Sequence, residues 1–146
     1  MRDYLFRGKT HDGKWAYGSL VATEGFCGIL EKDDGTNYNY PYLDNLTGCI
    51  DGYITPVLTN TVGQFTGICD KYGKRIFEGD IVKLTDDVKR TFNIDDGEVK
   101  FNHSAFFVNG SKGLLESLFC IANIHYVLRG EVVGNIHDNP ELLKGV

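Results

Sequence analysis

Short runs of aromatic and β-branched residues alternate along this chain with polar turn signals every ten to twenty positions. Asp12-Gly13 separates Tyr4-Leu5-Phe6-Arg7 from Lys14-Trp15-Ala16-Tyr17-Gly18-Ser19-Leu20, and Asp34-Gly35 separates Gly28-Ile29-Leu30-Glu31 from Tyr38-Asn39-Tyr40. Both read as β-hairpins, because Asp-Gly tolerates the positive φ that tight hairpin turns require. The second half repeats the theme. Gln64-Phe65-Thr66-Gly67-Ile68 leads into the turn Asp70-Lys71-Tyr72-Gly73-Lys74, followed by Arg75-Ile76-Phe77. Glu78-Gly79-Asp80 forms a corner opening the strand Ile81-Val82-Lys83-Leu84. Asp96-Gly97 introduces Glu98-Val99-Lys100-Phe101, with Val99 and Phe101 on one face. Asn109-Gly110 predicts a type I′ turn after Ala105-Phe106-Phe107-Val108, and Glu131 to Ile136 predicts a last strand.

Helix is scarce in this pattern. Lys112 to Asn123 places Leu114, Leu115, Leu118 and Ile121 at helical spacing, and strand remains its competitor there. Asn139-Pro140-Glu141-Leu142-Leu143 fits one helical turn, Asn139 as cap and Pro140 at the first position. The expected architecture is mainly β. An N-terminal hairpin-rich subdomain, 1–62, precedes a C-terminal subdomain with its tail, 63–146.

Composition supports a folded chain: 146 residues, 42% hydrophobic and 24% charged, with 18 glycines for turns and only 3 prolines. Fifteen basic and twenty acidic side chains leave a net charge of -5. That balance disfavours long-range attraction to a phosphate backbone. The densest basic cluster, Lys71, Lys74 and Arg75, is surrounded by Asp70, Glu78 and Asp80, so it reads first as a solvated turn. No signal-like or membrane-spanning apolar stretch occurs, which predicts a cytoplasmic protein with no membrane partner. Cys27, Cys49, Cys69 and Cys120 form no C-x-x-C pair and read as buried free thiols.

Three blocks in order resemble the YopX-like family of phage and prophage proteins. They are Arg2 to Lys9 with Trp15-Ala16-Tyr17-Gly18, the long run Val62 to Val82, and Val132 to Leu143. The resemblance implies a β-rich fold with an SH3-like barrel in the C-terminal part, a phage or prophage origin in a bacterial host, and self-association. It implies no reaction. The stretches 21–61 and 84–130 carry less of the likeness.

The chain's own residues suggest no catalytic, cofactor or metal site. His11, His103, His125 and His137 lack mutual metal-ligand spacing, His103-Ser104 sits in no nucleophile elbow, and no phosphate-binding glycine loop occurs. Gly67, Asp70, Gly73, Glu78, Gly79, Asp80, Gly134, Asn135, Asn139 and Pro140 read as structural turn residues, Asp80 fixing its corner by bonds to nearby amides. Trp15 and Tyr17 on one strand face, Tyr38 and Tyr40, and Leu142 and Leu143 are the candidate interface. Core packing and cross-strand pairing account first for the aromatics.

The leading expectation is a non-enzymatic accessory protein acting through contacts with itself or with a host or phage protein. The alternative is a nucleic-acid-associated small-barrel module, which would need folding to gather Lys71, Lys74, Arg75, Lys89 and Arg90 on one face. Acidic mimicry of DNA ranks below both, because positive and negative residues are evenly mixed. An enzyme ranks last.

Overall fold

The computed structural model describes residues 4–31, 54–102, 104–111, 115–117, 122 and 127–143. The expected Asp34-Gly35 hairpin, the tyrosines at 38, 40, 42 and 53, Cys49 and Cys120, and His103 and His125 lie outside these residues. The chain divides into two compact units, 4–64 and 65–146.

In the first unit, β1 (Phe6–Lys9), β2 (Trp15–Thr23), β3 (Phe26–Glu31) and β4 (Ile54–Pro56) pair antiparallel in the order β4-β3-β2-β1. The start of β5 (Gly63–Cys69) extends the set, through Phe6↔Gln64 and Arg7↔Gly63. The Asp12-Gly13 hairpin forms, as a five-residue connection between Lys9 and Trp15 rather than a two-residue turn. The Thr10 side chain explains the length. Its hydroxyl accepts the Lys14 N–H at 3.0 Å and also bonds the Asp12 carboxylate, while Gly13 takes φ +87°. A second hairpin, turning at Glu24-Gly25, pairs Thr23 with Phe26 and carried no Asp-Gly or Asn-Gly signal.

Alternation along β2 sends Ala16 inward to pack with Ile29 and Val57. Leu20, Phe6, Cys27 and Val62 complete this small core. Gly18 faces the same side, and a Cβ there would fall 2.0 Å from the Leu30 carbonyl oxygen, so β2 and β3 can approach this closely only with glycine. Buried Thr61 ties the end of β1 down: its hydroxyl accepts the Lys9 N–H at 2.8 Å and donates to Leu58 O at 2.6 Å.

In the second unit the rest of β5 pairs with β6 (Arg75–Phe77), and a bulge at Gly67 (φ +85°) shifts the register between Phe65 and Cys69. A five-stranded antiparallel sheet follows, in the order β10-β9-β8-β7-β11. Its strands are β7 (Asp80–Leu84), β8 (Gly97–Asn102), β9 (Ala105–Gly110), β10 (Leu115–Ser117) and β11 (Gly130–Asn135). Among the described residues the buried cluster is larger here. Ile68, Ile76, Val82, Leu84, Val88, Ile94, Val99, Val108 and Leu128 are all buried in one cluster.

Two expectations are corrected in this unit, and one open alternative is resolved. The sheet is open rather than a closed barrel. The outer edge of β11 is already engaged, because Asp70 Oδ2 accepts the Val132 N–H at 3.0 Å and the Lys71 N–H bonds Gly130 O at 3.1 Å. Asn109-Gly110 does not turn the chain. Both residues continue β9, opposite Glu98 and Gly97, and the chain reverses only between Gly110 and Leu115, where β10 pairs back antiparallel onto β9. A Cβ on Gly97 would meet Asn109 O at 2.3 Å, so the glycines here serve close strand approach. Within the stretch where helix and strand competed, 115–117 is strand β10, paired with Phe107 to Asn109. The thiols of Cys69 here and of Cys27 in the first unit are free but half-buried rather than fully buried.

A short helix, α1 (Asp86–Phe92), links β7 to β8 and went unanticipated. Asp86 and Asp87 lie in its first turn and Lys89 and Arg90 in its last, each favourable to the helix dipole, and Asn93 closes it in the left-handed conformation. It buries Val88 alone, too little for a periodic signal. Lys89 bridges to Asp96 at 3.0 Å, and Asp96 Oδ1 accepts the Leu84 N–H at 2.7 Å.

Candidate functional site

The residues singled out from sequence gather in the second unit at three turns around β7 and β11. At the first turn, Asp70 is 1% exposed. Its Oδ1 accepts the N–H groups of Tyr72 and Lys74, both at 2.9 Å, so a five-residue loop closes on one carboxylate oxygen. The other oxygen reaches Val132, 62 residues away in sequence. Gly73 supplies φ +81° within the loop. A charge this deeply buried is tolerable because three amides solvate it.

The second turn is Glu78-Gly79-Asp80. Gly79 stands at φ +91°, where its N–H donates to Val99 O at 2.8 Å and its carbonyl accepts the Ile136 N–H at 2.9 Å. A residue with a Cβ would be strained at that φ. Asp80, also 1% exposed, accepts the Phe77 N–H on Oδ2 at 2.8 Å. Glu78 is half-buried. Asp80 thus holds the backbone of the corner.

The third turn is built by asparagines. Asn135 Oδ1 accepts the N–H groups of His137 and Asp138 at 3.0 and 2.9 Å, and Asn139 Oδ1 accepts the Asn135 N–H at 3.3 Å. The Pro140–Leu143 turn is helical of the 3-10 type, with Pro140 first. The Asn139 side chain points back to Asn135. Leu142 folds back as well. An added Cβ on Gly134 would lie 2.9 Å from its Cδ1, so the tail packs on its own unit, although Leu142 keeps 39% exposure. Leu143 is half-buried.

In the first unit, Trp15 and Tyr17 share a face of β2, opposite Lys9 and Arg7 of β1. The Arg7 guanidinium lies 4.7 Å from the Trp15 ring centroid and the Lys9 ammonium 5.9 Å. Reading β2 alone missed this, since the cations come from the neighbouring strand. Tyr17 and Phe26 are exposed, at 44% and 40%. Among the described residues no three His, Cys, Asp or Glu side chains converge to hold a metal ion. No helix of those residues is long and apolar enough to cross a membrane.

The three turns, the bulges and the tail lie in the second unit, and the match to known proteins covers both units. The model of the family described as YopX protein matches residues 5–144. The chain belongs to the YopX family. It is similar to the SPbeta prophage-derived uncharacterized protein YopX of Bacillus subtilis (strain 168), 37% identical over 125 residues covering 84% of this chain and 86% of that protein. The matched residues of this YopX-family chain include all three turns.

Proposed function

We propose that this chain is a non-enzymatic accessory protein of a phage or prophage, acting in the bacterial cytoplasm through protein contacts and forming a homo-oligomer. The prophage origin of its relative supports the setting. The observation that carries the reading is the exposed aromatic surface of the first unit: Tyr17 and Phe26 stand out from neighbouring strands of an antiparallel sheet, and Tyr4 is exposed just before β1. Aromatic side chains bury large areas at small entropic cost and anchor protein interfaces. The buried acids of the turns, Asp70 and Asp80, are bonded to backbone amides, which supports a non-enzymatic role.

The test is light scattering coupled to size-exclusion chromatography, on the wild type and on Tyr17→Ser. A defined oligomer that Tyr17→Ser weakens is the expected result. A monomer of the 16.3 kDa chain mass at every concentration tried would overturn the self-association.

A further inference from the structure

The tip of the β5–β6 hairpin is where the surface departs furthest from the acidic balance of the chain. Lys71, Tyr72, Gly73, Lys74 and Arg75 are all exposed, and Tyr72 reaches 73%. In sequence, three acids surround these cations. Folding removes two of them from the surface, because Asp70 and Asp80 are buried with their carboxylates turned onto main-chain N–H groups. Glu78 is half-buried. Lys71, Lys74 and Arg75 have no ion-pair partner among the described residues, and their recorded ring contacts are Lys71 with Tyr72 at 5.1 Å and Arg75 with Phe65 at 5.8 Å.

The tip is also held in shape. Asp70 N–H donates to Lys74 O at 2.8 Å, Gly73 N–H to Asp70 O at 2.9 Å, and Lys71 N–H to Gly130 O at 3.1 Å. A loop tied at these points loses little conformational freedom when a ligand binds.

We propose that this tip is a contact site for single-stranded nucleic acid, with Lys71, Lys74 and Arg75 meeting phosphates and Tyr72 stacking on a base. Single strands are bound by this pairing of cations with an exposed ring. A protein hot spot would instead surround the aromatic with apolar neighbours that exclude water. Around Tyr72 the chain offers Lys71, Gly73, Lys74 and Arg75. The net charge of -5 confines attraction to the tip, so binding is local, weak and strongly salt-dependent.

The experiment measures fluorescence anisotropy of a labelled oligo(dT) strand with the full chain, over a salt series. An abasic strand of equal length and an oligo-glutamate peptide are run in parallel. The variants are Tyr72→Ala and Lys74→Glu, with circular dichroism checking that each keeps the wild-type fold. Oligo(dT) is expected to bind at low salt with a log-log salt slope of about -2, as roughly three phosphate contacts on a single strand would give. Tyr72→Ala is expected to weaken it about tenfold, leaving the abasic strand unaffected. Lys74→Glu weakens both strands. No binding at low salt, or equal binding by both folded variants and wild type, overturns the proposal. Oligo-glutamate bound as tightly as oligo(dT) also overturns it, in favour of an acidic protein partner.

Discussion

The two units end their strands in different ways. Residues 4–64 use hydroxyls and close backbone approach: Thr61 at the end of β1, Thr10 just before β2, and a glycine where β2 and β3 come closest. Among the described residues their buried cluster around β2 is Ala16, Ile29 and Val57. Residues 65–143 use carboxylates and amides, with Asp70, Asp80, Asp96, Asn135 and Asn139 each accepting a main-chain N–H beside a much larger cluster. A buried carboxylate is costly without its amides and strong with them. The second unit therefore ties its stability to particular side chains, whereas Tyr17 and Phe26 of the first stand exposed on adjacent strands.

The sharpest way to break this comparison is a matched truncation. Ile76→Ala removes a residue with no exposure from the large cluster, and Ile29→Ala does the same in the small one. The expected losses are about 4 and about 2 kcal/mol, since a small core with half-buried neighbours collapses more readily around a cavity. Equal losses by denaturant unfolding would remove the distinction. Next comes Asp70→Ala, which strands three amides. It should cost about 3 kcal/mol and speed hydrogen exchange at Tyr72, Lys74 and Val132 together. Loss of protection confined to the loop would show that the bond to β11 carries little.

Gly79→Ala should follow at about 2 kcal/mol, from backbone strain at positive φ alone. A neutral outcome in thermal melts would mean that the corner can relax. The smallest effect lies in the first unit. Asp12, at the surface, has its carboxyl held below the usual value of 3.8, chiefly by the Thr10 hydroxyl. A depressed folded pKa stabilises above the unfolded value, and that contribution disappears as pH falls through the folded pKa. An NMR titration of Asp12 should therefore move up toward 3.8 in Thr10→Val, and no movement would dismiss the bond.

Much of this was legible along the chain, because turn chemistry is local. Asp12-Gly13, the 70–74 loop, the Gly79 corner and the Pro140 turn each depend on residues within five positions, and all four form. Where identical signals served another purpose, the reading went astray. Asn109-Gly110 is a strong turn signal, yet Gly110 lies opposite Gly97, and the pairing of two strands outweighed the local preference. The leucine spacing after Lys112 suggested a helix, and the ladder from β9 claims 115–117 for a strand. Helix α1 was hidden by its shortness, with Val88 as its sole buried residue. The candidate site was visible as a set of names and not as an arrangement: nothing near Asp70 in sequence points to Val132.

By itself the sequence determined the β-rich class, the positions of the local turns and membership of the family, since each rests on short-range conformational preference or on linear matching. The tertiary structure alone decided that the C-terminal sheet stays open, that Arg7 and Lys9 meet Trp15, and that Asp70 and Asp80 turn inward while Lys71, Lys74 and Arg75 stay at the surface. Those outcomes depend on which backbone amides lie within reach of each side chain, and strand pairing between distant segments sets that reach.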